Sequence, residues 1–295
     1  MMPKVVLAGG TGFVGRAFER RFKDMGYEIS MISRQSSHIS WDDRPGMTQA
    51  LEGADLLINL AGRSVNCRYT PENRRLILES RTKTTRLLGE SVLACRRPPA
   101  LWINSSTATI YRHAEDRPMT EEGGEIGTGF SVDVAKAWEQ AFFAFDLPAT
   151  RRIALRIAIV LDDGGVMGPM RNLVRFGLGG PQGSGQQQFS WIHMEDLFRI
   201  VVFLQQHPEL EGVFNASAPH PVTNRELMAS LRRAMGVPIG LPAPRWMLEL
   251  GARLIRTETE LVLKSRWVLP ERLLREGFTF KYETLDGALK EIVSR

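Results

Sequence analysis

VVLAGGTGFVGRAF, residues Val5 to Phe18, passes from a β-branched run through Gly9, Gly10, Gly12 and Gly15 into an amphipathic pattern. A strand, a glycine turn and a helix in that order make a phosphate cradle. The glycines let the backbone turn tightly, approach a pyrophosphate and pack the helix against the sheet. The first helical turn, with Phe13 and Val14, then offers free N–H groups and partial positive charge to the phosphates. Gly9, Gly12, Phe13, Val14 and Gly15 are therefore candidate cofactor-binding residues. A purely structural turn is the plainer alternative, and a glycine motif alone does not exclude it.

Working outward, short β-branched runs at Glu28–Ser33, Leu56–Leu60, Leu101–Ser105 and Ile153–Ile159 alternate with helical patterns at Phe13–Met25, Pro71–Cys95 and Ser131–Phe145. Such alternation predicts an α/β fold, a doubly wound parallel sheet of Rossmann type covered on both faces. A smaller, mainly helical C-terminal lobe follows, with helical patterns from Val222 onward and Pro238, Pro242 and Pro244 between the pieces. The expected division is a dinucleotide-binding domain over 1–165 plus about 189–217, and a substrate lobe over 166–188 and 218–295.

The chain of 295 residues is 43% hydrophobic and 24% charged, ordinary for a globular protein with ample core. Its net charge of +5 is modest and the basic residues are scattered, so nucleic-acid binding is not expected. Cys67 and Cys95 have no metal-ligand spacing; no metal site is expected, and reduced thiols suit a cytoplasmic protein. A strand-like run begins at Lys4 without a leader pattern, and no apolar stretch reaches spanning length, so no membrane association is expected.

After the second strand, Ser33 and Arg34 stand where a carboxylate would favour NAD. A guanidinium there suits the extra 2′-phosphate, which makes NADP (NADPH) the expected cofactor over NAD. The third strand closes on Leu60, Ala61 and Gly62, small enough at its end to lie beneath the adenosine part of a dinucleotide.

GGTGFVG, NLAG and SSTATIY resemble, in order, the cofactor loop, third strand and fourth strand of the extended short-chain dehydrogenase/reductase superfamily. GLGGPQGSGQQQFSWIHMEDL, GVFNASAPHPVTNREL and LPERLLREGFTFKYETLDGAL narrow the resemblance to the atypical epimerase family that includes the bacterial YfcH protein. It covers nearly the whole chain. It implies an NADP-dependent oxidoreductase or epimerase acting on a small polar carbonyl or nucleotide-sugar-like substrate. Dimerisation is common in the superfamily, so a homodimer is compatible with it.

The superfamily's chemistry uses a Ser or Thr at the fourth strand's end and a Tyr-x-x-x-Lys pair on the next helix. The ammonium draws the tyrosine pKa down from about 10 and holds the nicotinamide ribose. The resemblance assigns the hydroxyl role to Thr107 and the lysine role to Lys136, which leaves Val132 at the tyrosine position. Val132 exchanges no proton. Tyr111, just beyond Thr107, is the alternative donor, though in extended enzymes a tyrosine there is usually structural. Ser131 is expected as the helix cap, and Glu139 as a solvent-facing charge.

The glycine- and glutamine-rich segment is read as a substrate-side loop, with Gly183 and Gly185 giving close backbone approach and Gln187 offering its amide. His193 follows it with a suitable intrinsic pKa, helix-start packing being its alternative role. A non-catalytic NADPH-binding sensor is the competing function, and the absent tyrosine favours it.

Overall fold

Within the computed structural model, residues 2–244, 246, 248 and 263–295 are described. Four strand–helix units open the chain: β1 (Lys4–Ala8) and α1 (Phe13–Asp24), β2 (Glu28–Ile32) and α2 (Arg44–Leu51), β3 (Leu56–Asn59) and α3 (Pro71–Leu93), β4 (Leu101–Thr107) and α4 (Phe130–Phe143). There follow β5 (Arg151–Ile157), β6 (Ile159–Leu161), α5 (Met167–Arg175), β7 (Gln188–Phe189), β8 (Trp191–His193), α6 (Met194–Gln206) and β9 (Gly212–Ala216). The C-terminal part carries β10 (Val222–Thr223), α7 (Asn224–Ala234), α8 (Glu271–Arg275) and α9 (Leu285–Ser294). Residues 245, 247 and 249–262 of the substrate lobe expected from the sequence lie outside the described residues.

Six strands form the main sheet in the order β2-β1-β3-β4-β5-β9, all parallel. Successive side chains of a strand face opposite sides, so a strand covered on both faces is apolar throughout. Accordingly Val5 and Leu7 of β1 join one core, while Val6 and Ala8 join the other. The first core holds Phe18 and Phe22 of α1 edge-on to Phe198 of α6, at ring separations of 5.4 and 4.9 Å. Each buried ring of this kind contributes roughly 1.5–3 kcal/mol. On the opposite face Met47, Leu88 and Phe142 bring α2, α3 and α4 against Trp102 of β4.

β1 lies between β2 and β3, so strand order reverses at the β1–β3 boundary. Chains leaving these two strands move apart and open a crevice at their C-terminal ends, where ligands of such sheets bind. Among the elements that the sequence pattern had not predicted are the helices α2 and α5. Asp43 caps α2 by accepting a hydrogen bond from the Gly46 N–H. α5 forms despite Gly168 and Pro169 because Met167 and Val174 bury one side.

Candidate active site

At the β1–β3 crevice the three motif glycines have separate roles. Gly9 adopts φ 74° and donates its N–H to Ile32 O at 2.8 Å; a Cβ there would lie 2.5 Å from Ala61 Cα. Gly15 lies against the Gly10 backbone, which a Cβ would overlap. Gly12 is different. Its φ is −79°, open to any residue, and a Cβ would meet only Gly9 O at 3.9 Å. Neither backbone conformation nor protein packing requires glycine at 12, so the space in front of this backbone is open.

The helix that begins there is also uncapped. Gly12 caps α1 with no side-chain hydrogen bond, and the first turn has no acidic residue. α3 and α7, by contrast, are capped by Thr70 and Thr223 and carry Glu72 and Glu226 in their first turns. The first N–H groups of a helix need acceptors, and those of α1 have no such side chain to serve them. Phe13 packs its ring against Gly164 and Gly165, and Val14 joins the same core.

Arg34 stands exposed beyond β2 with no hydrogen bond or ion pair to the described residues. Ser33 is buried instead. Its hydroxyl meets His38 Nδ1 at 2.9 Å and accepts from the Gln35 N–H at 3.0 Å, so it holds the loop together. Leu60 N–H donates to Ala8 O at 2.8 Å, and Ala61 N–H to Asn59 Oδ1 at 3.0 Å. Asn59 in turn donates to Asn104 Oδ1 at 2.7 Å and Thr85 Oγ1 at 3.0 Å, a buried polar chain that fixes the strand ends.

A cavity of about 130 Å³ opens beside Thr107, walled by Arg81 of α3, Ser131, Ala135 and Trp138 of α4, and the rings of Tyr69 and Phe130. Thr107 Oγ1 accepts from the Thr109 N–H at 3.1 Å, which leaves its own O–H able to donate.

Lys136 does not share this cavity, contrary to the assignment from the superfamily motif. α4 starts at Phe130 after Gly129 (φ 101°), so Ser131 is not its cap. Ser131 and Ala135, one turn apart, both line the cavity. Lys136, about 100° further round the helix, is exposed, and Val132 is buried among Ile110, Tyr111 and Val268. Neither a phenol nor an ammonium faces Thr107 from α4.

Tyr111 is likewise corrected as a proton donor. It is 2% exposed, donates to Asn215 Oδ1 at 3.0 Å and accepts from Arg156 Nη1 at 2.9 Å. Burial pushes its pKa up, with Arg156 pulling the other way. Nor is Glu139 a solvent-facing charge. It pairs with Arg156 at 2.8 Å and accepts from Ser106 Oγ at 2.5 Å, joining α4 to β4 and β5.

Residues 5–131 match the model of the NAD dependent epimerase/dehydratase family, and residues 243–292 match a domain of unknown function (DUF1731). The Bos taurus epimerase family protein SDR39U1 is 32% identical over 99% of this chain and 100% of its own. The chain belongs to the NAD-dependent epimerase/dehydratase family. A crystal structure of human epimerase family protein SDR39U1 (isoform 2) with NADPH superposes with TM-score 0.89, 30% identity and 99% coverage of both chains. A nucleoside-diphosphate sugar epimerase from Corynebacterium glutamicum gives TM-score 0.77 and 27% identity, over 99% of this chain and 58% of that one.

The glycine- and glutamine-rich segment of this family member is a packed turn. Gln187 is buried, donating to Gln182 O at 2.9 Å and accepting from Ser184 Oγ at 3.3 Å. Gly183 (φ 62°) and Gly185 (φ 72°) supply the left-handed turns, and Gly183 N–H donates to Ala243 O at 2.9 Å. None of the three lines the Thr107 cavity. His193 caps α6: its Nδ1 accepts from the Glu195 N–H at 3.1 Å, which places the proton on Nε2, 3.1 Å from Glu291. Burial lowers its pKa, with Glu291 opposing.

Arg81 is the cavity residue that the sequence reading missed. Its signal was present: Ile77, Arg81 and Thr85 recur at i, i+4 and i+8, and the outer two are buried. A charge on the buried face of a helix calls for a partner. Among the described residues no cluster of His, Cys, Asp and Glu could hold a metal ion, and no helix is long and apolar enough to cross a membrane.

Proposed function

We propose that this protein binds NADP(H) across the β1–β3 crevice and acts, as an oxidoreductase or epimerase, on a small polar carbonyl or nucleotide-sugar-like compound held beside Thr107. The observation that carries the reading is Gly12, whose bare backbone leaves room for a closely approaching phosphate, set on an uncapped helix N-terminus. The residues present fit a dinucleotide. Gly12 and the first N–H groups of α1 would receive the pyrophosphate, and the unpartnered Arg34 would receive the 2′-phosphate. The NADPH-bound human relative supports the choice of cofactor.

When bound, NADPH supplies a hydride. This chain's own part is to orient the carbonyl: the Thr107 O–H points a donor at the carbonyl oxygen. Water delivers the proton, since Tyr111 is occupied and Ser131 and Ala135, which face the cavity from α4, carry neither phenol nor ammonium. Lacking a positioned acid typically costs 10²–10⁴-fold in rate, so turnover is slow.

The same two positions favour a second reading, a non-catalytic NADPH sensor. Titration with NADPH followed by a hydride-transfer screen over carbonyl compounds separates them. Transfer to any carbonyl supports the enzyme; tight binding without transfer supports the sensor. Failure to bind NADPH overturns both.

A further inference from the structure

Among the described residues, the lining of the Thr107 cavity contains one charged side chain, and it is a cation. Arg81 is held in place from one side. Its Nη1 donates to Ile77 O at 3.0 Å and Arg63 O at 3.1 Å. Its guanidinium lies 5.1 Å from the centre of the Trp138 ring, and Trp138 is itself fixed by an Nε1–H bond to Thr85 Oγ1 at 3.0 Å. The other edge, Nε and Nη2, has no acceptor among the described residues, and no carboxylate pairs with it there. That edge rests over Gly62, where a Cβ would stand 3.2 Å from Nη2. Gly62 thus gives the guanidinium room.

Burial lowers the Arg81 pKa to about 10, so the group remains a cation at neutral pH. Lys264 Nζ donates to Thr109 O at 2.8 Å and Arg266 Nε to Thr109 Oγ1 at 3.1 Å, and Thr109 also lines the cavity. A desolvated cation without a counter-charge is unfavourable, and an anion in the cavity relieves it. A planar guanidinium with two donors on one edge matches a carboxylate or phosphate oxygen pair.

We infer that Arg81 is the anion-recognition residue of this cavity, receiving a carboxylate or phosphate group of the small-molecule ligand through Nε and Nη2 while Thr107 faces its carbonyl. This rests on the proposed reading of the cavity as the substrate site. The dinucleotide is provided for elsewhere, at the α1 N-terminus and Arg34. A cavity of about 130 Å³ holds some four waters of ~30 Å³ each, which suits a compact oxo acid or the acidic end of a larger one.

Calorimetric titration tests this, with pyruvate and acetoacetate each compared against its methyl ester, and inorganic phosphate as a third probe, with and without NADPH. In the unmutated protein an acid should bind at least about tenfold more tightly than its ester. Arg81→Gln should abolish that preference, Arg81→Lys should keep part of it, and NADPH affinity should stay within about twofold. Equal binding of acid and ester, or no binding of any anion, overturns the inference. So does a preference that survives in Arg81→Gln, or a loss in that variant confined to NADPH. The acid–ester comparison needs no variant, so a folding defect cannot mask it. Failure of NADPH to bind would count against the proposed function alone, because the anion titrations without cofactor still read out.

Discussion

Replacing Gly12 by alanine adds one methyl group at the apex of the phosphate loop. Within the protein that methyl would meet only Gly9 O, at 3.9 Å, and φ −79° is comfortable for alanine. Alanine is a poorer N-cap than glycine, so the stability cost should be about 1 kcal/mol or less. In the crevice, the methyl stands where the pyrophosphate would approach the backbone. Loss of a single charge-assisted hydrogen bond, about 1.5–3 kcal/mol, weakens NADPH ten- to hundredfold. The neighbouring glycines should behave in the opposite way. Gly15→Ala overlaps the Gly10 backbone and should destabilise by about 1–3 kcal/mol or more. Gly9→Ala forces alanine to φ 74°, for about 1–2 kcal/mol, and brings its Cβ to 2.6 Å from Ala61 N. Thermal unfolding of the three variants, paired with calorimetric titration of NADPH, gives both quantities. If Gly12→Ala binds NADPH within about twofold of the parent protein, the dinucleotide does not lie where the loop places it.

Arg34→Ala should weaken NADPH about ten- to hundredfold while leaving NADH nearly unchanged, and equal losses in a binding titration would remove its phosphate role. Glu139→Ala leaves Arg156 buried without its carboxylate and should lower stability by about 3–5 kcal/mol in denaturant unfolding. Protonation of His193 breaks its cap on α6. Because its folded pKa lies below the unfolded value of about 6.5, its stabilising contribution is full above that pH and fades as the pH falls towards the folded pKa. Unfolding measured from neutral pH downward should show this fall, and His193→Asn, which keeps a capping acceptor, should flatten it. Limited proteolysis should spare Gln182–Gln188 with or without NADPH, since Gln187 and Asn224 pin that turn.

The sheet was legible because parallel strands buried on both faces must be apolar throughout, and Val5–Ala8 and Leu56–Asn59 have few alternatives. The orientation of α4 was not legible for a related reason. It buries residues on two sides, Val132, Ala135 and Phe142 together with Val134, Trp138 and Ala141, so its apolar pattern does not say which side meets the cavity. A one-position ambiguity then exchanged Ala135 for Lys136. Glu139 looked exposed because its partner Arg156 comes from a different strand, and only sheet pairing brings them together. Tyr111 at the fourth-strand exit suggested a proton donor, yet the acceptor that occupies it, Asn215, is supplied by β9. The segment around Gly183 and Gly185 was legible as a loop, but not what it packs against.

The two halves of the site differ in how they tolerate change. The phosphate loop is held by main-chain atoms alone, Gly9 against Ala61 and Gly15 against Gly10, where any added carbon collides. The cavity is made largely of side chains projected from α3 and α4, among them those at 81, 131 and 135. Selection can therefore redraw the ligand's half one residue at a time without disturbing the dinucleotide's half. A chain built this way can exchange one substrate for another, or chemistry for sensing, while its nucleotide crevice stays as it was.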